Sequence, residues 1–208
     1  MKVTYSYHLN DLPKSLIISG DIAIDTEAMG LNNHRDRLCL VQLADEAGNI
    51  HIVHFKDRDY SAENLKALLS NKDSVKIFHF ARFDLAIMQK YLNIKLENVF
   101  CTKIASKLCR TYTNYHSLSE LCTELLNVKL SKYQQTSDWG SDKLNEEQLQ
   151  YAAKDVIYLH KIREKIVIKL KRENRMQLAE KCFDFLPFKS ELDLLGWIDH
   201  DIFSHQQG

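Results

Sequence analysis

The sequence predicts a mixed α/β layer architecture, with a sheet from the first half of the chain and helices from the second half packed on it. Three observations lead there. Short β-type runs separated by turn residues dominate the first half, and apolar residues at helical spacing dominate the second. The third is composition: 6 Gly and 2 Pro in 208 residues are too few for an all-β chain built on frequent tight turns.

The elements follow in order. Residues 22–26 (Ile-Ala-Ile-Asp-Thr) form a short apolar strand. Residues 38–44 and 50–55 flank Asp45-Glu-Ala-Gly-Asn49 and read as a hairpin. Ser61 opens a helix over 61–70, with Glu63 in its first turn. A strand at 75–80 leads into a helix at 83–92, and 98–101 adds a short strand. Ser117-Leu-Ser-Glu120 is a capping-box pattern that opens 118–126. Asn145-Glu-Glu-Gln148 opens a long helix to about 173, where Leu149, Ala152, Ala153, Val156, Leu159, Ile162 and Ile166 recur at helical spacing. Residues 175–186 form the last helix. No polar linker divides the chain, so one domain over 1–208 is expected.

Composition excludes several function classes. Lys plus Arg and Asp plus Glu both total 28, so no basic surplus is available to grip long nucleic acid. No apolar run reaches about 18 residues, which predicts no membrane span, and the first 20 residues lack a signal-peptide core. Five cysteines without C-x-x-C spacing read as free thiols of a cytoplasmic protein. The six glycines cannot form G-x-G-x-x-G, a P-loop or G-x-S-x-G.

Four places carry chemistry. Asp25 and Glu27 lie two apart on a strand, so they share a face with Cα atoms about 7 Å apart. Asp84 starts a helix directly after a strand. Tyr151 and Asp155 are four apart and share a helix face. Lys132-Tyr-Gln-Gln-Thr-Ser-Asp-Trp139 is too polar for core and reads as a solvated loop with a docking Trp. Singly, each is also what a polar strand end, a helix-starting Asp or a chance spacing would show. Together, four carboxylates balance two divalent cations, and all-oxygen donors suit Mg²⁺ or Mn²⁺. Two such ions about 4 Å apart suit in-line displacement at phosphorus, with Tyr151 one helical turn from Asp155 to orient or deprotonate the attacking water. His51 and His54 point to opposite faces of a strand and do not pair on one metal. The basic run 161–175 reads as a solvated helix face.

D-x-E, then Asp after a strand, then Y-x-x-x-D, in that order, resembles the DEDDy 3′–5′ exonucleases. Phe-x-x-Phe-Asp84, Gln-x-Ser-Asp-Trp139 and Tyr151-Ala-Ala-x-Asp-Val156 resemble ribonuclease D in particular, over about residues 15–170. The resemblance implies a ribonuclease H-like fold and a metal-dependent exoribonuclease. Asp25, Glu27, Asp84 and Asp155 would be the metal ligands and Tyr151 would act at the water. Many relatives carry Asn after the His of the second motif, where this chain has Phe80, so the contact assigned to that Asn does not carry over. The chain ends at 208, too early for the helical nucleic-acid-binding domains of ribonuclease D, and its tail resembles the stand-alone ribonuclease D-like proteins of the nano-RNase C type. That resemblance implies a ring-shaped homo-oligomer, an octamer, acting on very short single-stranded RNA. Trp197, Ile198, Ile202 and Phe203 form an apolar cluster suited to such an interface.

The expected reaction removes nucleoside 5′-monophosphates from the 3′ end of RNAs of two to a few nucleotides. Met29 and Leu31, just past the metal-binding strand, are expected at the bases, where Leu31 resembles a wedging leucine. His79, Arg82 and Phe83 flank the third ligand as further substrate contacts. The alternatives are a general 3′–5′ exonuclease on longer structured RNA or DNA, and a catalytically dead binding module. The second alternative predicts loss of a ligand, and none is lost.

Overall fold

The computed structural model describes residues 2–130, 134 and 136–205. Among the described residues six strands form one mixed sheet: β1 (Ser6–Leu9), β2 (Ile22–Ala28), β3 (Leu38–Ala44), β4 (Ile50–His54), β5 (Lys76–Phe78) and β6 (Val99–Cys101). Their order is β1-β4-β3-β2-β5-β6. β2, β3 and β4 run antiparallel in sequence, while β1, β5 and β6 join in parallel. β3 is buried along its whole length, as its unbroken apolar run requires of a strand covered on both faces.

Among the described residues seven α-helices cover the sheet or cap its ends: α1 (Glu63–Leu69), α2 (Ala81–Leu92), α3 (Thr102–Cys109), α4 (Leu118–Leu126), α5 (Glu146–Ile157), α6 (Leu159–Arg172) and α7 (Met176–Leu192). The predicted capping box at Ser117 forms, and the helix start at Asn145 proves to be a second one. Ser117 exchanges hydrogen bonds with Glu120, and Asn145 does so with Gln148.

The structure departs from the sequence expectations at several points. β1 and α3 were not foreseen. The strand over 75–80 shrinks to Lys76–Phe78, and α2 begins at Ala81 rather than 83. Ser61 does not cap α1; the carboxylate of the distant Asp11 accepts from the Asn64 and Leu65 amides at 3.0 and 2.9 Å. The long helix over 145–173 breaks at Tyr158 into α5 and α6. α5 lies on β2, β3 and β4, whereas α6 lies against α3 and α4. One straight rod cannot follow both surfaces, so the apolar periodicity continues while the axis bends. α7 runs past the predicted end at 186 through the buried Pro187. It then widens into a π-helical turn, Asp193–Trp197, which Gly196 leaves at φ 106°. That dihedral belongs to glycine.

Among the described residues no helix is long and apolar enough to cross a membrane. All five cysteines are free thiols, four of them buried.

Candidate active site

β2 is a central strand, flanked by β3 and β5. Its last residues carry Asp25 and Glu27, and the register shifts between Glu27 and Ala28. A bulge there ends the pairing just past the second carboxylate and re-aims the chain. α5 lies across β2 and presents Asp155 from one helical turn beyond Tyr151. The result is a compact group: ligand oxygens of Asp25, Glu27 and Asp155 all lie within 4.8 Å of one another. Asp84, in the first turn of α2, stands outside that trio but lines the same cavity. Its carboxylate accepts a hydrogen bond of 2.6 Å from the Thr26 hydroxyl.

The electrostatics of the four carboxylates are one-sided. Burial pushes Asp25 up to about 7. Burial first, and the neighbouring carboxylates second, hold Glu27, Asp84 and Asp155 well above the ordinary range. The charges acting on these groups are one another's, and among the described residues no cation offsets them. Carboxylate oxygens at this spacing fit hard divalent ions such as Mg²⁺ or Mn²⁺. Tyr151 is raised above its usual value by burial and then by Asp155, Glu27 and Asp25. It therefore stays a neutral phenol that can orient a water but has little capacity to act as a base.

The cluster opens into a cavity of about 820 Å³, within the size range of small-ligand sites. Met29 and Leu31 stand on its rim, 57% and 84% exposed. The intervening Gly30 has no room for a side chain, because a Cβ there would come within 2.2 Å of the Asp36 carboxylate. Asp36 in turn accepts from the Asn32 amide at 3.0 Å and pairs with Arg35, which holds the rim loop.

His79, Arg82 and Phe83 also line the cavity. The ring of His79 is 2.9 Å from the Thr102 hydroxyl, and burial, with Lys103 nearby, lowers its pKa to about 3. Arg82 is less free than the sequence suggests. Its guanidinium is bound to the buried Asp193 and donates to the Ile198 carbonyl at 2.7 Å. Asp193, Ile198 and Asp199 thereby form a cavity wall that sequence reasoning missed.

Two further residues at the carboxylates were missed. Thr26 was passed over because it alternates with the two acids. Gln42 sits opposite Asp25 in register, with its amide nitrogen 3.5 Å from the Asp25 carboxylate. Its signal was available: it is the lone polar residue of the apolar run 38–44.

Of the loop motif at 132–139, Lys132, Tyr133 and Gln135 lie outside the described residues. Trp139 is buried and meets the Tyr151 ring at 6.1 Å, so it docks beside the carboxylate cluster. His51 and His54 face opposite ways. His51 stacks on His8 at 5.3 Å, and His54 meets the Tyr7 hydroxyl at 2.5 Å.

Residues 1–171 match the 3′–5′ exonuclease family. The chain is 36% identical over 160 residues to DNA polymerase I of Aquifex aeolicus, covering 77% of this chain and 26% of that protein. It is 33% identical over 158 residues to ribonuclease D of Sphingobium indicum, covering 74% and 39%. The chain thus spans from about a quarter to two fifths of the length of these curated relatives. Solved structures of Brucella melitensis NrnC match over nearly everything, covering 98% of this chain and 100% of the other. The form with bound Mg²⁺ is 47% identical with a TM-score of 0.93, and the form bound to pGG is 48% identical with a TM-score of 0.94.

Proposed function

Because the chain belongs to the 3′–5′ exonuclease family, we propose that it is a metal-dependent 3′–5′ exoribonuclease acting on RNAs of two to a few nucleotides. The observation that carries the reading is the carboxylate cluster at the cavity. Asp25, Glu27 and Asp155 converge within 4.8 Å, and Asp84 stands beside them on a hydrogen bond from Thr26. We assign these four as metal ligands, holding two ions of Mg²⁺ or Mn²⁺. When bound, such ions supply the positive charge that makes water a nucleophile and stabilises the departing 3′ oxygen.

The chain's own groups do the rest. Tyr151, a neutral phenol, hydrogen-bonds and orients the attacking water. Thr26 fixes the rotamer of Asp84. Met29 and Leu31 meet the bases from the rim, and His79 and Phe83 complete the wall near the terminal nucleotide. Hydrolysis breaks the bond between phosphorus and the 3′ oxygen of the preceding nucleotide. It releases a nucleoside 5′-monophosphate and leaves a 3′-hydroxyl on the remainder.

Three observations support short substrates. The chain carries no net positive charge for many phosphate contacts. The cavity is bounded by Asp193, Ile198 and Asp199. The NrnC relative, alike over its whole length, has been solved bound to pGG.

We further propose a cytoplasmic homo-oligomer, a ring of eight. Trp197, Ile198, Ile202 and Phe203 are all exposed, and Phe203 meets the exposed Phe185 edge-on at 5.9 Å. Exposed apolar patches of this kind mark interfaces. A monomer mass by light scattering at micromolar concentration would overturn the ring. The test of the activity is kcat/KM on 5′-labelled RNAs of about 2 to 20 nucleotides, with Leu31→Ala alongside. Equal efficiency at all lengths, together with an unaffected Leu31→Ala enzyme, replaces the short-RNA reading with a general exonuclease.

A further inference from the structure

Phe80 breaks a local rule on the cavity wall. It is the residue before α2, and its backbone takes φ 72°, ψ 44°, the left-handed region. Gly, Asn and Asp enter that region readily, whereas an aromatic side chain there is strained by about 1 kcal/mol or more. Phe80 gains little from burial in return, because it is 44% exposed and its surface faces the cavity that holds the carboxylates. An Asn at this position would relieve the strain and remove an exposed ring.

The neighbouring Lys103 breaks a second rule. It is the second residue of α3, at the helix end where a positive charge is disfavoured. It is partly buried, lines the same cavity, and its ammonium lies 4.2 Å from the centre of the Phe80 ring. Burial and the nearby Lys107 lower its pKa, and among the described residues no carboxylate pairs with it; the contact it makes is a cation–π contact with the Phe80 ring. An exposed aromatic ring and a cation with no acidic partner, both on the wall of a cavity floored by acids, suit a ligand that offers a flat π-face and a negative charge next to it. A nucleotide offers both. Adjacent departures from local preference are expected where a site is built for function.

Resting on the exoribonuclease reading above, we propose that Phe80 and Lys103 form a nucleotide subsite of the catalytic cavity. The ring of Phe80 stacks on a base of the RNA, and the Lys103 ammonium neutralises a phosphate beside it. Stacking on an aromatic side chain tolerates any base, so the subsite serves an enzyme that must clear fragments of every sequence.

The test is a cycle between enzyme and substrate. Wild type, Phe80→Asn and Phe80→Trp are assayed on an RNA dinucleotide and on dinucleotides carrying an abasic unit at either position. For wild type, removing the base that stacks on Phe80 lowers kcat/KM about tenfold. For Phe80→Asn, the intact dinucleotide is already about tenfold worse, and removing that base costs nothing further. Phe80→Trp keeps the base dependence. The melting temperature of Phe80→Asn equals or exceeds that of wild type, which separates the lost contact from a damaged fold. Lys103→Gln lowers the slope of log KM against log salt by about one, the signature of one lost phosphate contact.

Phe80→Asn losing equally on base-bearing and abasic substrates refutes the stacking role. An unchanged salt slope in Lys103→Gln refutes the phosphate role. A wild-type enzyme that cleaves no RNA refutes the exoribonuclease reading itself, which is a different result from either.

Discussion

Asp25→Asn should stabilise the metal-free protein while abolishing its activity. The Asp25 carboxyl is raised from 3.8 to about 7 by burial. A pKa unit corresponds to about 1.4 kcal/mol, so at pH 8 the ionised group disfavours the folded state by at most roughly 4 kcal/mol. Asp25 is only partly buried and meets water through the cavity, which screens its charge. An amide also keeps the contact with Gln42. We therefore expect a gain of about 1–2 kcal/mol, or a rise of roughly 3–6 °C in Tm for a chain of this size. The sign follows from linkage. A carboxyl whose folded pKa lies above its unfolded value weakens the fold when ionised, and stability returns as pH falls through the folded pKa. The advantage of Asp25→Asn is thus nearly full at pH 8, declines steadily as pH falls from 7 toward the unfolded value of 3.8, and is gone only below about pH 4. The assay is thermal melting in chelator across that range, repeated with saturating Mg²⁺. With the ion present the order reverses, because only wild type gains the full binding free energy. An Asp25→Asn protein no more stable than wild type in chelator at pH 8 would refute the electrostatic account of the cluster.

Other expectations follow from the same geometry. Glu27→Ala, Asp84→Ala and Asp155→Ala each lose nearly all activity, measured on a labelled dinucleotide; a largely active Asp155→Ala enzyme would end the two-metal assignment. Tyr151→Phe lowers kcat by about 10²–10⁴ with Mg²⁺ affinity, read by calorimetry, unchanged. Thr26→Val frees the Asp84 carboxylate and leaves it without its 2.6 Å donor. Activity at limiting Mg²⁺ falls about 10–100-fold and recovers in part at high Mg²⁺.

Much of the site was legible because its chemistry follows the two simplest periodicities. Spacing i, i+2 on a strand brought Asp25 and Glu27 to one face, and i, i+4 on a helix brought Tyr151 and Asp155 to another. Capping boxes marked the starts of α4 and α5 for the same local reason: the hydrogen bonds lie within four residues. What escaped was set by distant partners. β1 is a four-residue strand without apolar continuity, and it exists because it pairs with β4. α3 follows β6 with no side-chain cap, so no start signal stands at Cys101. Arg82 read as a substrate contact because it sits two residues before Asp84. Its ion pair with Asp193 spans 111 residues, and no local pattern announces it. The break at Tyr158 was hidden because both halves of the long helix keep their apolar stripe, and only the surfaces they cover differ.

That same Arg82–Asp193 pair has a consequence for how the molecule comes into being. The cavity draws on β2 and α2 early in the chain, on α5 in its latter part, and on the turn at Asp193–Trp197 near its end. Contacts of such sequence separation carry a large loop-closure entropy and form late in folding. Along the chain, β2 with Asp25 and Glu27 and α2 with Asp84 precede Tyr151, Asp155 and the wall that Arg82 anchors. The carboxylate centre is therefore complete only once α5 and the turn at Asp193–Trp197 have packed onto the earlier elements, and its capacity to hold an ion is a readout of the last contacts to form.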